Sequence, residues 1–557
     1  MRNRSTVIIC LLVLSSLACL CQPGKTFTNA DTLRGSITPE RAWWNVLRYD
    51  LSVRPDYVNK STTGTNIITY KVLVSGDARS MQIDLQEPLS IDSVVFESRQ
   101  LSFRKNGNTW FVQSPRQQKG EVNKLTIYFH GNPHEAKRAP WDGGWTFTRD
   151  SLNRPWMTVT CQGLGASIWY PCKDHQSDEP EKGASLTMRV PDTLVAVGNG
   201  RLASTLTHGD GTTSYRWEIK SAINNYNIIP YIGKYVHFKD SYKGEKGMLD
   251  LDYWVLDYNE SKAKSYLPKE VDQMLKSFEH WFGPYPFYED GYKLVDVPHT
   301  GMEHQSAVAY GNHYRPGYRD RDGSGTGWGM KWDFIVVHES GHEWWGNSIT
   351  SKDLADMWVH EGFTNYSETL LVDYLFGKQA GNEYNAGIRR GIRNDRPIIS
   401  AYGVNSQGSG DMYPKAGNML HAIRHSMDND KLFRKILRGI NEAFYHQTVT
   451  SAQLEAYISK HARFNYSAVF DQYLRDTQIP LLEIKIDSMA QEVSYRYANC
   501  KPGFNLPIVL AKDATKIKLM PTTTWSRVKL TRKQLPLISP EEIKKMYYLK
   551  TAISSMN

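Results

Sequence analysis

The feature that most constrains this chain is a pair of histidines four residues apart, followed later in the sequence by an acidic residue. On a helix, His338 and His342 project from one face because residues at that spacing are neighbours on the helix surface. Two neutral imidazoles and the carboxylate of Glu361 form the donor set of a catalytic Zn²⁺, which takes three protein ligands and keeps one position open. Glu339 lies between the histidines and is placed to take a proton from a water at that metal. The spacing therefore predicts one zinc site per chain, with Glu339 as its base.

The surrounding pattern predicts two antiparallel helices that carry these residues. The first runs from about residue 332 to 347, and the second from about 356 to 376. On the second helix Asn365 and Glu368 share a face with Glu361. We expect them to orient the metal ligands without binding the metal themselves. Gly341 costs roughly 1 kcal/mol inside a helix, which indicates close packing beside the metal. The alternative is a surface helix with scattered His and Glu residues, because the short motif also occurs by chance.

Length and composition indicate a globular protein of several domains. The 557 residues suffice for three or four domains, and the hydrophobic fraction of 40% with 12% aromatic residues excludes a disordered chain. The formal net charge is +9, but no dense stripe of Lys and Arg accompanies it. A solvated basic surface is therefore favoured over a nucleic-acid site.

The first residues are typical of an export signal. Arg2 and Arg4 precede an apolar run over residues 7–14, with small residues after it, so residues 1–21 are expected to be a signal peptide. Processing at Cys19, as in a bacterial lipoprotein, and ordinary cleavage near Cys21 both remain open. The protein is accordingly expected to be periplasmic, extracellular or lipid-anchored to a bacterial membrane. No other stretch reaches the ~20 apolar residues of a transmembrane span.

Three cysteines lie outside the signal, namely Cys161, Cys172 and Cys500. An odd number in an exported protein allows one disulfide and one buried thiol, with Cys161 and Cys172 as the nearest pair in sequence. Sequence alone does not fix this pairing. None of the spacings is typical of a metal site built from cysteine.

The remaining pattern predicts a multidomain α+β protein. Residues 22–242 read as a mainly antiparallel β-sheet domain, since short β-branched and aromatic runs alternate with turn signals. Residues 243–478 contain helical periodicity and hold the zinc motif, and residues 479–557 return to short strands as a small β-rich domain. A glycine-rich segment at 323–329 reads either as a mobile flap or as an ordinary loop.

With the motif and helices in place, the chain resembles the gluzincin zinc aminopeptidases of the aminopeptidase N and leukotriene hydrolase type. Residues 338–347 read H-E-S-G-H-E-W-W-G-N, and E-G-F follows from Glu361. The resemblance covers about residues 158–477 and implies a thermolysin-like α/β catalytic domain. Family members usually continue into a helical domain that closes over the site, whereas the tail here reads as strands. We therefore expect no large C-terminal helical domain.

Further site residues are implied by the resemblance. Residues 300–304, T-G-M-E-H, are similar to the family's G-x-M-E-N loop, which implies that Glu303 binds the substrate's α-amine and that Gly301 and Met302 line the substrate. A Gln or Glu at the position of Gln162 helps to hold that amine. Residues 411–416, D-M-Y-P-K-A, are similar to the Y-x-K-G segment, whose tyrosine, here Tyr413, stabilises the tetrahedral intermediate.

This sequence departs from the family pattern at three positions. Thr300 replaces the leading Gly of the amine-binding loop, His304 replaces its Asn, and Ala416 replaces the Gly of the tyrosine segment. The first two leave open how the donors near the substrate carbonyl are arranged.

The predicted function is a zinc aminopeptidase that acts on peptides with a free N-terminus. An endopeptidase or epoxide hydrolase on the same scaffold is one alternative. A non-catalytic peptide-binding protein is another, although a pure binder has no need for Glu339. A structural zinc site is a third, and such sites are usually closed by four protein ligands. The preferred N-terminal residue is not determined by the sequence.

Overall fold

The structure is a computed structural model that describes residues 26–555. The expected signal peptide, its cleavage site and Cys19 and Cys21 lie outside these described residues. Within residues 26–555, no helix combines the length and the apolar character that crossing a bilayer requires.

The N-terminal region, residues 26–233, is built almost entirely of strands. Along these strands buried side chains alternate with more exposed ones, as β geometry requires. In the strand over residues 61–72, for example, every second side chain from residue 66 to residue 72 is buried. Two short helices precede the first strand. The elements are α1 (Asn29–Gly35), α2 (Pro39–Ala42), β1 (Trp44–Asp56), β2 (Ser61–Val72), β3 (Arg79–Asp84), β4 (Ser90–Phe96), β5 (Arg99–Leu101), β6 (Phe103–Asn106), β7 (Thr109–Ser114), β8 (Val122–Gly131), β9 (Gly144–Arg149), β10 (Pro155–Thr160), β11 (Ala184–Pro191), β12 (Val195–Val197), β13 (Arg201–Thr207), β14 (Thr212–Ile219) and β15 (Tyr231–Gly233).

These strands form three sheets. The largest has eight strands in the order β13-β14-β11-β1-β2-β8-β4-β5, and only its β1–β11 pair is parallel. A four-stranded sheet, β12-β15-β10-β9, and a three-stranded sheet, β3-β7-β6, complete the region. The expected antiparallel β domain is therefore confirmed, and its four-stranded sheet leads the chain from β10 to Gln162.

The central region, residues 235–478, combines a sheet with helices. Its five-stranded sheet has the order β16-β17-β18-β20-β19, with β19 at the edge and antiparallel to β20. The expected boundary between residues 242 and 243 falls inside the first of these strands. The elements are β16 (Tyr235–Gly244), β17 (Gly247–Leu256), α3 (Glu260–Phe282), β18 (Tyr292–Asp296), β19 (Gly301–Met302), β20 (Val308–Tyr310), α4 (Phe334–Gly341), β21 (Ile349–Ser351), α5 (Trp358–Phe376), α6 (Lys378–Ile388), α7 (Pro414–Met427), α8 (Asp430–Ala443), β22 (Gln447–Val449), α9 (Ser451–Ala462) and α10 (Ser467–Leu474).

The first predicted motif helix is shorter than expected. Helix α4 begins after Asp333, whose carboxylate accepts a hydrogen bond from Val336 N, and it ends at Gly341 instead of residue 347. His342 still has helical backbone angles, so the side chains of both histidines project from the same face of the helix. Beyond His342 the chain forms turns up to residue 348, with Gly346 at a φ of 129°, and then enters β21. Helix α5 agrees with the prediction to within two residues at its start.

Gly341 is required by the packing of these two helices. A Cβ atom at this position would lie 2.8 Å from Ser367 Oγ and 3.1 Å from Thr364 Cγ2, both on α5. The close approach predicted beside the metal ligands is therefore present, and a side chain would push the helices apart.

The C-terminal region, residues 479–555, is a small β-rich unit that packs behind α6 and α7. Its four-stranded sheet has the order β27-β24-β23-β28, beside a two-stranded ribbon. No large helical domain occurs among the described residues of this region. The elements are β23 (Leu481–Asp487), β24 (Glu492–Ala498), β25 (Ile508–Lys512), β26 (Thr515–Leu519), β27 (Ser526–Lys529), α11 (Pro540–Met546) and β28 (Lys550–Ser555).

The suggested disulfide is wrong. Cys161, Cys172 and Cys500 are all free thiols. Cys161 and Cys172 are completely buried, and burial raises the pKa of both thiols well above the ordinary value. They act as small apolar core residues beneath the segment that carries Gln162.

Candidate metal centre

The predicted site residues line one large cavity of about 990 Å³. Its walls come from α4, α5, the edge strand β19, the loop after β10 and the segment that leads into α7. All eleven residues that the sequence singled out lie on this cavity: Gln162, Gly301, Met302, Glu303, His338, Glu339, His342, Glu361, Asn365, Glu368 and Tyr413.

Three of these side chains converge on one point. Glu361 Oε2 lies 3.4 Å from His342 Nε2 and 3.8 Å from His338 Nε2. The ligand atoms of the three residues all lie within 4.8 Å of one another, and the residues are buried. Helix α4 supplies both imidazoles from adjacent turns, and α5 supplies the carboxylate from its first turn. The predicted ligand set is thus brought together in space.

Both imidazoles are held so that Nε2 faces this point. His338 Nδ1 lies 2.8 Å from Glu368 Oε1, and His342 Nδ1 lies 2.9 Å from the carbonyl oxygen of Trp345. The Tyr384 hydroxyl donates to the other oxygen of Glu368 at 2.6 Å. Acceptors on Nδ1 keep the ring proton there and leave Nε2 free to bind a cation.

The residues present fit Zn²⁺. Glu361 Oε2 is buried and has no hydrogen-bond donor among the described residues, which is costly for a carboxylate oxygen unless a cation completes its environment. Two imidazole nitrogens with one carboxylate oxygen, on the wall of an open cavity, match the three-ligand sites of catalytic zinc. The residues that would hold the ion are His338, His342 and Glu361.

Glu339 projects into the same cavity from between the two histidines. It is 9% exposed, and burial raises its pKa to about 7, against the lowering effect of the neighbouring histidines. A carboxylate with a pKa near neutrality can both accept and return a proton. Its position, one residue from His338, agrees with the predicted role of base.

Glu303 lies on the His342 side of the centre. Its carboxylate accepts hydrogen bonds from the Gln162 amide and, at 3.1 Å, from the Tyr226 hydroxyl. Glu303, Glu339 and His342 have ligand atoms within 4.8 Å of one another. Burial raises the pKa of Glu303. The predicted pairing of Gln162 with Glu303 is therefore present as a direct contact.

The loop that carries Glu303 is fixed by side chains from two regions. Asn347, just beyond α4, donates to the Glu303 carbonyl oxygen at 2.8 Å, and Glu343 accepts from Ser306 N at 2.8 Å. Asn227, in the N-terminal region, donates to Asn347 Oδ1 at 3.0 Å. These residues are at most 2% exposed. The loop is thereby tied to the metal-bearing segment with little freedom to shift.

The two departures from the family pattern in this loop behave differently. His304 turns away from the cavity and places Nδ1 2.5 Å from the Tyr231 hydroxyl, in the four-stranded sheet. Thr300 lines the cavity beside Gly301. Any side chain at Gly301 would meet Glu339 Oε1 at 2.7 Å, so this position requires glycine for the base to reach the cavity.

Tyr413 lines the cavity beside His338. Its ring is parallel to that of His338 within 20°, with centroids 6.0 Å apart. Burial, with the carboxylates of Glu361 and Glu303, raises its pKa well above the ordinary value. The hydroxyl therefore remains protonated at neutral pH and can donate a hydrogen bond towards the centre.

Sequence reasoning missed several residues that shape the site. Tyr226 and Asn227 come from a polar turn that carries no recognisable motif, and Asn347 and Glu343 belong to the histidine motif without a predicted role of their own. The polar run of residues 224–227 within a β-rich region was the one available signal. The additional residues with direct contacts to predicted site residues or their loop are Tyr226, Asn227, Glu343, Asn347 and Tyr384.

The chain is similar to proteins of a known family. Residues 269–473 match the pattern described as the Peptidase family M1 domain. The chain is similar to aminopeptidase M1-B from Oryza sativa subsp. japonica, with 22% identity over 464 residues, 79% of this chain and 51% of the relative. It is also similar to human endoplasmic reticulum aminopeptidase 1, with 20% identity over 338 residues, 58% of this chain and 35% of the relative. The chain thus spans between about a third and a half of these relatives.

A solved structure has the same fold over most of both chains. The M1 zinc metallopeptidase from Deinococcus radiodurans matches with a TM-score of 0.65 and 18% identity, over 80% of this chain and 97% of that chain. A mutant of it, with the substrate Tyr-Ser-Ala bound, gives the same TM-score. At this identity the likeness shows the fold alone.

Proposed function

We propose that this chain, which belongs to peptidase family M1, is a zinc-dependent aminopeptidase that removes the N-terminal residue of peptides. The observation that carries the proposal is the contact between Glu303 and Gln162 next to a His₂Glu centre. A buried carboxylate beside the metal ligands suits a protonated α-amine, whose charge it would balance. Fixing the chain terminus there would favour hydrolysis of the first peptide bond.

The chemistry follows from the positions of the residues. His338, His342 and Glu361 would hold Zn²⁺, which supplies Lewis-acid polarisation of the scissile carbonyl and a lowered pKa for water. Glu339 would accept the proton of the attacking water and later give it to the leaving amine. Tyr413 would donate its hydroxyl hydrogen to the developing oxyanion, a contact typically worth about 10²–10³ in rate.

The alternative functions make different demands on the residues around Glu303 and Glu339. An endopeptidase needs an open cleft on both sides of the scissile bond, whereas here Gln162 and Tyr226 crowd the carboxylate of Glu303. A non-catalytic peptide-binding protein has no use for Glu339, whose pKa of about 7 suits proton transfer. Export of the protein stays a proposal that rests on residues 1–21.

The experiment compares free and N-acetylated tripeptides with the zinc-loaded protein. We expect the free peptide to be hydrolysed much faster than the acetylated one, loss of activity with a chelator, and recovery on addition of zinc. Substituting Glu303→Gln should reduce the preference for the free amine at least about tenfold, because the charge that balances the amine is removed.

A matched control is Glu279→Gln, a buried carboxylate on α3 that accepts hydrogen bonds from the backbone of Glu245 and lies outside the cavity. It should leave the preference intact. Equal hydrolysis of free and acetylated peptides would exclude the proposed function, and activity that survives complete metal removal would exclude zinc catalysis.

A further inference from the structure

Glu303 and Gln162, which would bind the α-amine, lie on one side of the metal centre, and aromatic rings line the cavity on the other side. Glu303 lies near His342, at the C-terminal end of α4. At the other end of the helix, the Phe334 ring stacks on His338 with centroids 5.1 Å apart, and Tyr318 packs edge-on against Phe334 at 5.4 Å. A row of three rings thus leads from the metal ligands towards residues 318–321.

Arg321 lies at the end of this row. A tight turn holds it, because Arg321 N donates to the Tyr318 carbonyl oxygen at 3.1 Å and Tyr318 N donates back to the Arg321 carbonyl oxygen at 2.9 Å. The turn is attached to α4 through Phe334 N and the Gly317 carbonyl oxygen at 3.2 Å. Arg321 is therefore fixed relative to the helix that carries both histidines.

The guanidinium of Arg321 has no partner within residues 26–555: no hydrogen bond, ion pair or ring contact involves it. Its neighbour Arg315, by contrast, pairs with Asp320 at 2.8 Å. Among the described residues that line the cavity, Arg321 is the one Lys or Arg, and its side chain is exposed to the cavity. An unpaired guanidinium in a substrate cleft is suited to a carboxylate or another planar anion.

The nearby acidic residues do not compete for this guanidinium. The carboxylate of Asp322 accepts hydrogen bonds from Ser324 N at 2.8 Å and Gly327 N at 2.6 Å, within its own loop. Asp142, which also lines the cavity, accepts hydrogen bonds from Lys137 N at 2.8 Å and Arg138 N at 2.9 Å. Both carboxylates are occupied by backbone amides, so the Arg321 charge remains available to a ligand.

We propose that Arg321 binds the C-terminal carboxylate of short peptides and so makes this cleft selective for peptides of about three or four residues. This inference rests on the proposed function, in which Glu303 holds the α-amine at the other end. From Phe334 to His342 the helix rises roughly 12 Å at ~1.5 Å per residue. An extended peptide covers ~3.3–3.6 Å per residue, so three or four residues span about the length of this helix segment, at whose two ends the proposed anchors lie.

The test measures kcat/KM for a tripeptide as its free acid and as its C-terminal amide, with the zinc-loaded full chain. The wild type should prefer the acid about tenfold, mainly through a lower KM, because the contact is remote from the reacting bond. In Arg321→Gln the ratio of acid to amide should fall to within about twofold. The preference should also weaken at high ionic strength, and a hexapeptide should show none.

The matched control is Arg319→Gln, which removes an exposed arginine of the same loop that does not line the cavity. It should keep the acid preference of the wild type. Equal kcat/KM for acid and amide in the wild type, or a preference that persists in Arg321→Gln, would overturn the assignment.

The two proposals can fail separately. If acetylated peptides are hydrolysed as well as free ones, the aminopeptidase function fails; if only amidation has no effect, Arg321 alone is excluded. Calorimetric binding of the acid and the amide to zinc-loaded Glu339→Gln gives the same comparison without turnover. In that measurement the acid should bind about tenfold more tightly, and equal affinities would contradict the role of Arg321.

Discussion

At the scale of single residues, the centre works by giving similar side chains different surroundings. Glu361 faces two imidazoles, Glu339 faces the open cavity, and Glu303 is covered by Gln162 and Tyr226. Three carboxylates within one site can therefore serve as ligand, base and amine anchor. Tyr413 adds a neutral donor that burial keeps protonated.

Tyr413→Phe should lower kcat by about 10²–10³ with little change in KM, because in the proposed mechanism the hydroxyl would contact an oxygen that becomes charged only in the transition state. Steady-state kinetics on a tripeptide would check this. Tyr402→Phe is the control, since Tyr402 lies earlier in the same segment and donates to Asp356 at 2.8 Å without lining the cavity. A loss below about threefold in Tyr413→Phe would contradict the role of oxyanion donor.

Residue spacing was enough to predict that His338 and His342 share a face, because a helix fixes which side chains do so. Glu361 was predicted to complete a His₂Glu set, and the structure places its carboxylate beside both imidazoles. Tyr226 could not be found in this way. It reaches Glu303 from a turn 77 positions away in sequence, and no local periodicity encodes such a contact.

At the scale of elements, helix α4 depends on a buried carboxylate at its start. Asp333 is fully buried, caps the helix through Val336 N and accepts a hydrogen bond from the Tyr310 hydroxyl at 2.8 Å. Burial, with the nearby Glu270, raises its pKa to about 7. The same residue that begins the helix therefore makes the fold sensitive to pH.

The sign of this sensitivity follows from proton binding. Between the ordinary pKa of about 3.9 and the folded value of about 7, the folded state binds more protons than the unfolded state. The stabilising contribution is complete below about pH 4 and is lost as the pH rises through about 7. In Asp333→Asn the free energy of unfolding should therefore fall less between pH 5 and pH 8, by on the order of 2–4 kcal/mol.

Denaturant unfolding of both proteins at several pH values, with a chelator present, would measure this difference without a contribution from zinc binding. In Asp333→Asn the amide oxygen of the new side chain would retain the cap on Val336 N, so the helix itself is preserved. Identical pH slopes in the two proteins would contradict the prediction.

The helix boundaries show where sequence periodicity fails. The apolar pattern continues through Trp344 and Trp345, and both are buried, which is why the helix was expected to reach residue 347. The chain instead leaves the helix after His342, and the tryptophans pack from the turns that follow. Periodicity reports burial, and it does not separate a helix from a compact turn whose side chains are also buried.

At the scale of the whole molecule, the active centre is shared between two regions. The central region supplies the metal ligands, the base and the carboxylate that would meet the amine. The N-terminal region supplies Gln162 and Tyr226, which contact that carboxylate, and Asn227, which bridges to Asn347. From this region the sequence predicted only Gln162 as a site residue, and the structure adds Tyr226 and Asn227.

Tyr226→Phe tests whether the N-terminal region takes part in amine recognition. The change removes one donor from Glu303 and preserves the buried ring, so the carboxylate should lose its fixed orientation. We expect kcat/KM for free tripeptides to fall about five- to tenfold, as for loss of one hydrogen bond to a charged group. Hydrolysis of acetylated peptides should not fall in proportion, so the preference for a free amine should shrink.

The control for this substitution is Tyr170→Phe. Tyr170 is also completely buried and donates to the Asn225 carbonyl oxygen at 3.2 Å, in the turn that carries Tyr226, but it does not contact Glu303. If general loosening of the turn were the cause, both variants would lose the preference equally. If orientation of Glu303 is the cause, only Tyr226→Phe changes it, and thermal unfolding should show similar stabilities for the two variants because each loses one buried hydrogen bond.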